Sequence, residues 1–89
     1  MVIGQSIATF EDERYFQFEY LRMKEAVARG YKFIVEESTD MTFNGTGADF
    51  VRTESVDSDI ERVIYRSTLP VADRDRCFFR LKVKEAPIK

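Results

Sequence analysis

The chain has no histidine, no tryptophan and a single cysteine, Cys77, among its 89 residues. Without histidine there is no Ser-His-Asp or Cys-His catalytic arrangement and none of the usual zinc sites. One cysteine cannot form an intrachain disulfide. Two prolines and four glycines leave few residues to break or guard strands, and there is no glycine-rich loop to cradle a phosphate. No apolar run approaches the ~18 residues needed to span a membrane. The first ten residues, Met-Val-Ile-Gly-Gln-Ser-Ile-Ala-Thr-Phe, lack the basic start and long apolar core of a signal peptide. From the sequence we therefore expect no membrane insertion, and the chain is either cytoplasmic or a mature or excised part of something longer.

What is present suits a small folded domain. Hydrophobic residues make up 44% of the chain, with eight Phe and four Tyr, too many aromatics for a disordered segment. Charged residues account for 34%, so much of the surface must be charged. The net charge is only −2 but unevenly spread. Residues 36–61 hold eight acids and one base, residues 62–89 eight bases and three acids. A pI near 5.2 and the lack of a long basic run exclude a nucleic-acid footprint. The asymmetry implies adjacent acidic and basic strands, or a head-to-tail contact between copies.

The clearest local signal is at residues 30–43. Tyr31, Phe33 and Val35 alternate with Lys32, Ile34 and Glu36, the period of a strand with its odd face buried. Ser38-Thr39-Asp40 ends it with side chains that bond to the local backbone. Asn44-Gly45-Thr46-Gly47 signals a turn and also spells a glycosylation acceptor, a pattern that recurs by chance. Strands follow at 49–54, at 62–69 (Val63, Tyr65, Ser67 and Leu69 on one face) and at 77–84 (Cys77, Phe79, Leu81 and Val83 inward; Arg80, Lys82 and Lys84 outward). Pro70 marks the end of the second of these. Phe33, Val35, Tyr65, Phe79 and Leu81 are the expected core.

Residues 11–29 admit two readings. Phe16, Tyr20, Met23 and Val27 share a helical face, with a capping-box imitation at Thr9-x-x-Asp12 and Gly30 where a helix would stop. Phe16, Phe18 and Tyr20 equally alternate as a strand, continuing through Leu21-Arg22-Met23 with a bulge. Residues 1–14 read as an N-terminal arm or edge strand, 15–85 as the domain and 86–89 as a tail. Val2, Ile3, Ile7 and Phe10 are the candidate interface of that arm.

Few side chains invite chemistry. Asp57, Asp59 and Glu61 offer hard oxygen ligands for Ca²⁺ but lack the glycine and third aspartate of a complete calcium loop. Arg76 beside Cys77 would lower the thiol pKa, whereas a lone cysteine commonly packs as a small apolar group. Tyr15, Tyr20, Tyr31 and Tyr65 would stack on sugars or fill the core. Glu36 and Glu37 point to opposite faces of a strand, so they cannot act together as an acid–base pair. No catalytic residue, cofactor or metal is assigned.

Three stretches together resemble a known family: Phe16-Gln-Phe-Glu-Tyr-Leu-Arg-Met-Lys24, Gly30-Tyr-Lys-Phe-Ile-Val-Glu-Glu-Ser-Thr-Asp-Met41 and Arg76-Cys-Phe-Phe-Arg-Leu-Lys-Val83. They are similar to a small domain at the C-terminal end of large secreted and surface proteins of Verrucomicrobia, Planctomycetes and relatives. Two departures stand out: Phe43 replaces a tryptophan, and residues 24–29 read as more helical than the short turn of the family. The resemblance implies an all-β antiparallel sandwich of the immunoglobulin or fibronectin kind with about five to seven strands. It also implies a non-catalytic module outside the cell or on its surface, with protein partners: the parent polypeptide, neighbouring domains or other copies. Two alternatives stay open, a self-assembling subunit joined by strand addition through the arm and a small cytoplasmic α+β binding domain with a helix at 11–29.

Overall fold

The computed structural model describes residues 3–43 and 46–85. Six strands carry the chain: β1 (Ile3–Phe10), β2 (Glu13–Met23), β3 (Lys32–Ser38), β4 (Asp49–Ser55), β5 (Ile60–Pro70) and β6 (Phe78–Lys84). A five-residue helix, α1 (Lys24–Ala28), follows β2, and a 3-10 turn (Val71–Asp73) follows β5. All pairings are antiparallel. One sheet has the order β1-β2-β5-β4, and the other is the pair β3-β6. The fold is all-β, a small sandwich.

The ambiguous stretch 11–29 resolves as strand, and the helix across it is not formed. Its aromatics gain more from a paired, half-buried sheet than from one helical face. β2 has a neighbour on each side, β1 from Ile3↔Tyr20 to Phe10↔Glu13 and β5 from Tyr15↔Pro70 to Met23↔Ile60. The hairpin β1–β2 turns at Glu11 and Asp12 with φ of 49° and 69°, the two left-handed residues that a tight turn between twisted strands requires. The pairing of β2 with β5 is irregular between Tyr15 and Gln17, where β5 spends four residues, Arg66 to Pro70, against two of β2, and not at the expected Leu21–Met23 face switch. Ser67, fully buried, reaches that point: its Oγ accepts the Phe16 N–H at 3.3 Å and donates to the Leu69 carbonyl at 2.7 Å. Only residues 24–28 coil. Gly30, at φ 91°, ends the helix as its position predicts: the Gly30 N–H meets the Val27 carbonyl and the Tyr31 N–H meets that of Ala26, the paired closure of a helix C-terminus.

The core lies where the sheets overlap. Phe18, Tyr20, Val35 and Val63 are buried, with Phe33, Ala48, Tyr65, Phe79 and Leu81 packed around them. All five expected core residues are in this cluster. Phe18 stacks on Phe79 at 5.2 Å and Tyr20 on Phe33 at 5.8 Å, geometries that contribute about 0.5–1.5 kcal/mol each beyond area burial. The alternation fails at the margins. Leu69 and Val83 are 45% and 48% exposed, while Ile64, on the outer face between Glu19 and Arg52, is buried.

The stacked rings also fix the strand directions. From Phe18 to Tyr20 along β2, the facing sheet advances from the Glu37↔Phe79 level to the Phe33↔Val83 level. β2 and β6 therefore run the same way, and β1 runs opposite to β6. Ile3, paired with Tyr20, lies level with Val83.

The expected turn at Asn44-Gly45 lies outside the described residues. Beyond it, residues 46–48 run along the outer edge of β3. Gly47 bridges Glu36, the Ala48 N–H meets the Val35 carbonyl at 3.0 Å, and the Glu37 N–H meets that of Thr46 at 3.0 Å.

Two stability measurements check this architecture. Phe79→Ala should cost about 3 kcal/mol in urea unfolding, since it removes one ring of an intersheet stack; a loss below about 1 kcal/mol contradicts the register. Gly30→Ala should cost about 1 kcal/mol or more, because its φ disfavours any Cβ.

Candidate functional site

The calcium candidates are drawn into other work by the loop between β4 and β5. One carboxylate oxygen of Asp57 accepts the N–H groups of Asp59 and Ile60, each at 2.8 Å. Those bonds hold its carboxyl below the usual range. The Lys24 ammonium donates to the Asp57 carbonyl at 2.7 Å and to Ser55 at 2.8 Å, so a cation already sits at the loop. Glu61 lies on β5, turned to Arg22 of β2 at 2.6 Å. The three acids do not converge, and among the described residues no group of three or more metal-binding side chains does.

Cys77 is buried immediately before β6. Its neighbour is Arg74, whose guanidinium lies 3.4 Å from Sγ, and not Arg76, which is exposed. Burial outweighs that cation and pushes the thiol pKa up, so of the two readings the small buried thiol is the one formed, and not one activated by Arg76. The tyrosines divide. Tyr20 is in the core, its phenol pushed up to about 12 by burial, and Tyr65 packs against the same cluster. Tyr31 is half-buried just ahead of β3. Tyr15 faces outward, where it and Phe10 hold the Arg66 guanidinium at 4.4 Å and 5.2 Å.

A buried carboxylate is the feature whose partners alternation alone did not supply. Glu37 continues the odd, inward face of β3 after Phe33 and Val35, and is 2% exposed. One oxygen accepts the Thr68 N–H at 2.7 Å, the other accepts the Thr68 hydroxyl at 3.0 Å, and Arg74 donates to it as well. The network ties β3 to β5 and to the turn after it. Its position on the buried face was legible in the sequence; its partners, 31 and 37 residues away, were not. Glu36 points the other way, to Arg80 at 2.6 Å and Lys82 at 3.4 Å. Arg80 also covers the Phe43 ring at 4.7 Å. The acidic middle and basic end of the chain thus meet as neighbouring strands, the first of the two arrangements expected. Glu54 bonding Arg52 and Arg62 repeats the pattern between β4 and β5.

The remaining candidates form a surface. Val2 lies outside the described residues. Phe10 faces outward with Tyr15. Ile3 and Ile7 stand opposite Tyr20 and Phe16 in the ladder, so they share the inward face, yet they are 52% and 49% exposed. Val83, opposite Phe33, is inward and 48% exposed too. Between these rows runs a groove lined by Ile7, Phe16, Cys77 and Phe79, with Gln5 and Arg76 at its rim. Among the described residues nothing covers it. No helix among them is long and apolar enough to cross a membrane.

Three outcomes are expected here. Arg74→Met strands the Glu37 charge in the core and should cost about 3–5 kcal/mol. The double variant Arg74→Met, Glu37→Gln should recover part of that, because the amide oxygen still accepts the Thr68 N–H; equal losses in the two exclude a charge effect. For pH, Arg80 hydrogen-bonds Glu36 and holds its pKa below the ordinary 4.5. A carboxyl depressed in the folded state stabilises the fold above its unfolded pKa, and that contribution is lost as pH falls through the folded value. Chemical denaturation below pH 4.5 should therefore show a steep acid limb that Glu36→Gln flattens.

Comparison with protein-family models, with curated proteins and with solved structures finds no match to this chain.

Proposed function

We propose that the chain is a non-catalytic, immunoglobulin-like β-sandwich module, an attachment or appendage domain of a secreted or cell-surface protein. The observation that carries this reading is the strand order. β1-β2-β5-β4 facing β3-β6 corresponds, in chain order, to six of the seven positions of a constant-type immunoglobulin sandwich. The seventh position, beside β6, is unfilled among the described residues.

The family resemblance supports the extracellular setting. The residues that carry it have packing roles in this fold: Phe18 and Tyr20 in the core, Phe79 against Phe18, and Ser38-Thr39-Asp40 as the stop of β3. There Asp40 accepts both the Thr42 hydroxyl at 2.7 Å and the Thr42 N–H at 3.1 Å. Phe43, in the neighbourhood where the family has a tryptophan, lies under the Arg80 guanidinium. The cytoplasmic α+β alternative is less well supported, since its helix reduces to the five residues of α1.

Antibodies against the chain test the setting: intact cells of the source organism should be labelled, and labelling only after permeabilisation contradicts it. A metal or organic cofactor retained stoichiometrically through dialysis contradicts the non-catalytic part.

A further inference from the structure

We propose that the side of the sandwich bounded by β1 and β6 is a self-association surface and that its occupant is a second copy of this chain. The two copies dock about a two-fold axis parallel to the strands, β1 of each pairing with β6 of the other. The proposal rests on the reading above, in which the position beside β6 is unfilled, and adds the partner.

The two sides of the sandwich are treated differently. On the far side, β3 is covered by residues 46–48. The neighbouring edge, β4, carries Asp49, Arg52 and Glu54 and an irregularity between Phe50 and Arg52. Charges and bulges are the devices that keep a sheet edge from pairing with another chain. On the near side, β1 is Ile-Gly-Gln-Ser-Ile-Ala-Thr-Phe, eight consecutive residues with no charge and no proline in a chain that is 34% charged. Nothing in it opposes intermolecular pairing. The inward residues on this side, Ile3, Ile7 and Val83, are each about half exposed.

The chemistry selects the pairing. Joining β6 to β6 would set Arg80, Lys82 and Lys84 against one another, and like charges across a ladder repel. Joining β1 to β1 would leave β6 and Val83 uncovered. Joining β1 to β6 places the outward residues of β1, Gly4, Ser6 and Ala8, beside the cationic row. Gly4 leaves its outer face to the Glu19 side chain, which lies 3.3 Å from where a Cβ would stand. That carboxylate pairs with Arg62 at 3.2 Å within its own chain, and on docking it stands beside the cationic row as a shared acceptor. Strand geometry agrees: β1 and β6 run in opposite directions and span eight and seven residues. An axis along the strands therefore gives two antiparallel ladders and a closed, isologous dimer.

Sedimentation equilibrium of the chain, from about 10 μM to 1 mM, reads the outcome. A monomer–dimer equilibrium approaching twice the 10.4 kDa chain mass is expected. Ile7→Lys should raise the dissociation constant at least tenfold, and Val83→Lys should do the same from the opposite strand if the first variant folds poorly. Phe50→Lys, on the far edge and 58% exposed, should leave it unchanged. A monomer throughout, open-ended oligomers, or a dimer indifferent to Ile7→Lys and Val83→Lys each overturn the proposal. A monomer with a β-sheet circular dichroism spectrum overturns the dimer alone, while the module reading answers to the labelling of intact cells.

Discussion

A four-stranded sheet packed on a two-stranded one can be kept dry only over the width of the narrower layer. With strands about 4.8 Å apart, two strand widths of the larger sheet, roughly 10 Å, must find cover elsewhere. Most of what is distinctive about this molecule follows from that mismatch. The buried inward residues of the larger sheet, Phe18, Tyr20, Val63 and Ser67, belong to its central strands β2 and β5. Its edge strands keep inward side chains that remain wet, Ile3 and Ile7 on β1 and Phe50 on β4.

The chain relieves the mismatch on one side. Residues 46–48 leave β3 and return along its edge, extending the small sheet by an irregular partner before β4 begins. On the other side no described segment plays this part. There the groove between β1 and β6 stays open, with Ile7, Phe16, Cys77 and Phe79 along it and the cations Arg80, Lys82 and Lys84 confined to the outer face of β6.

Charge follows the same layout. With so little interior, a fully buried ion is expensive unless it is paired and hydrogen-bonded, and Glu37 takes three hydrogen bonds from Thr68 and Arg74. The network lies at the end of the core where β3 approaches the turn after β5, and it fixes how the two sheets sit on each other. Of the other acids of the middle segment, Glu36 and Glu61 are little exposed and meet Arg80 and Arg22 across the strands, while Glu54 meets Arg52 and Arg62 on an open face, where a pair sets register more than stability.

Local alternation was enough to read the strands β3, β5 and β6, the five core residues drawn from them, and the stop at Gly30, because period and turn chemistry act over a few residues. The opposite directions of Glu36 and Glu37 followed from the same rule. The stretch at 11–29 was not decided locally, since its aromatics suit a helix face and a strand face alike; pairing of β2 with both β1 and β5 decided it. Tertiary structure alone could show that Ile64 is buried from the outer face, that Arg74 and not Arg76 attends Cys77, and that Asp57 turns onto its own loop and Glu61 onto Arg22, so that the three acids do not converge. It also settled the place of Ile3 and Ile7. Their apolar character was plain in the sequence, but whether an inward residue is dry depends on what faces it. That is a property of the unequal widths of two sheets, which no local pattern contains.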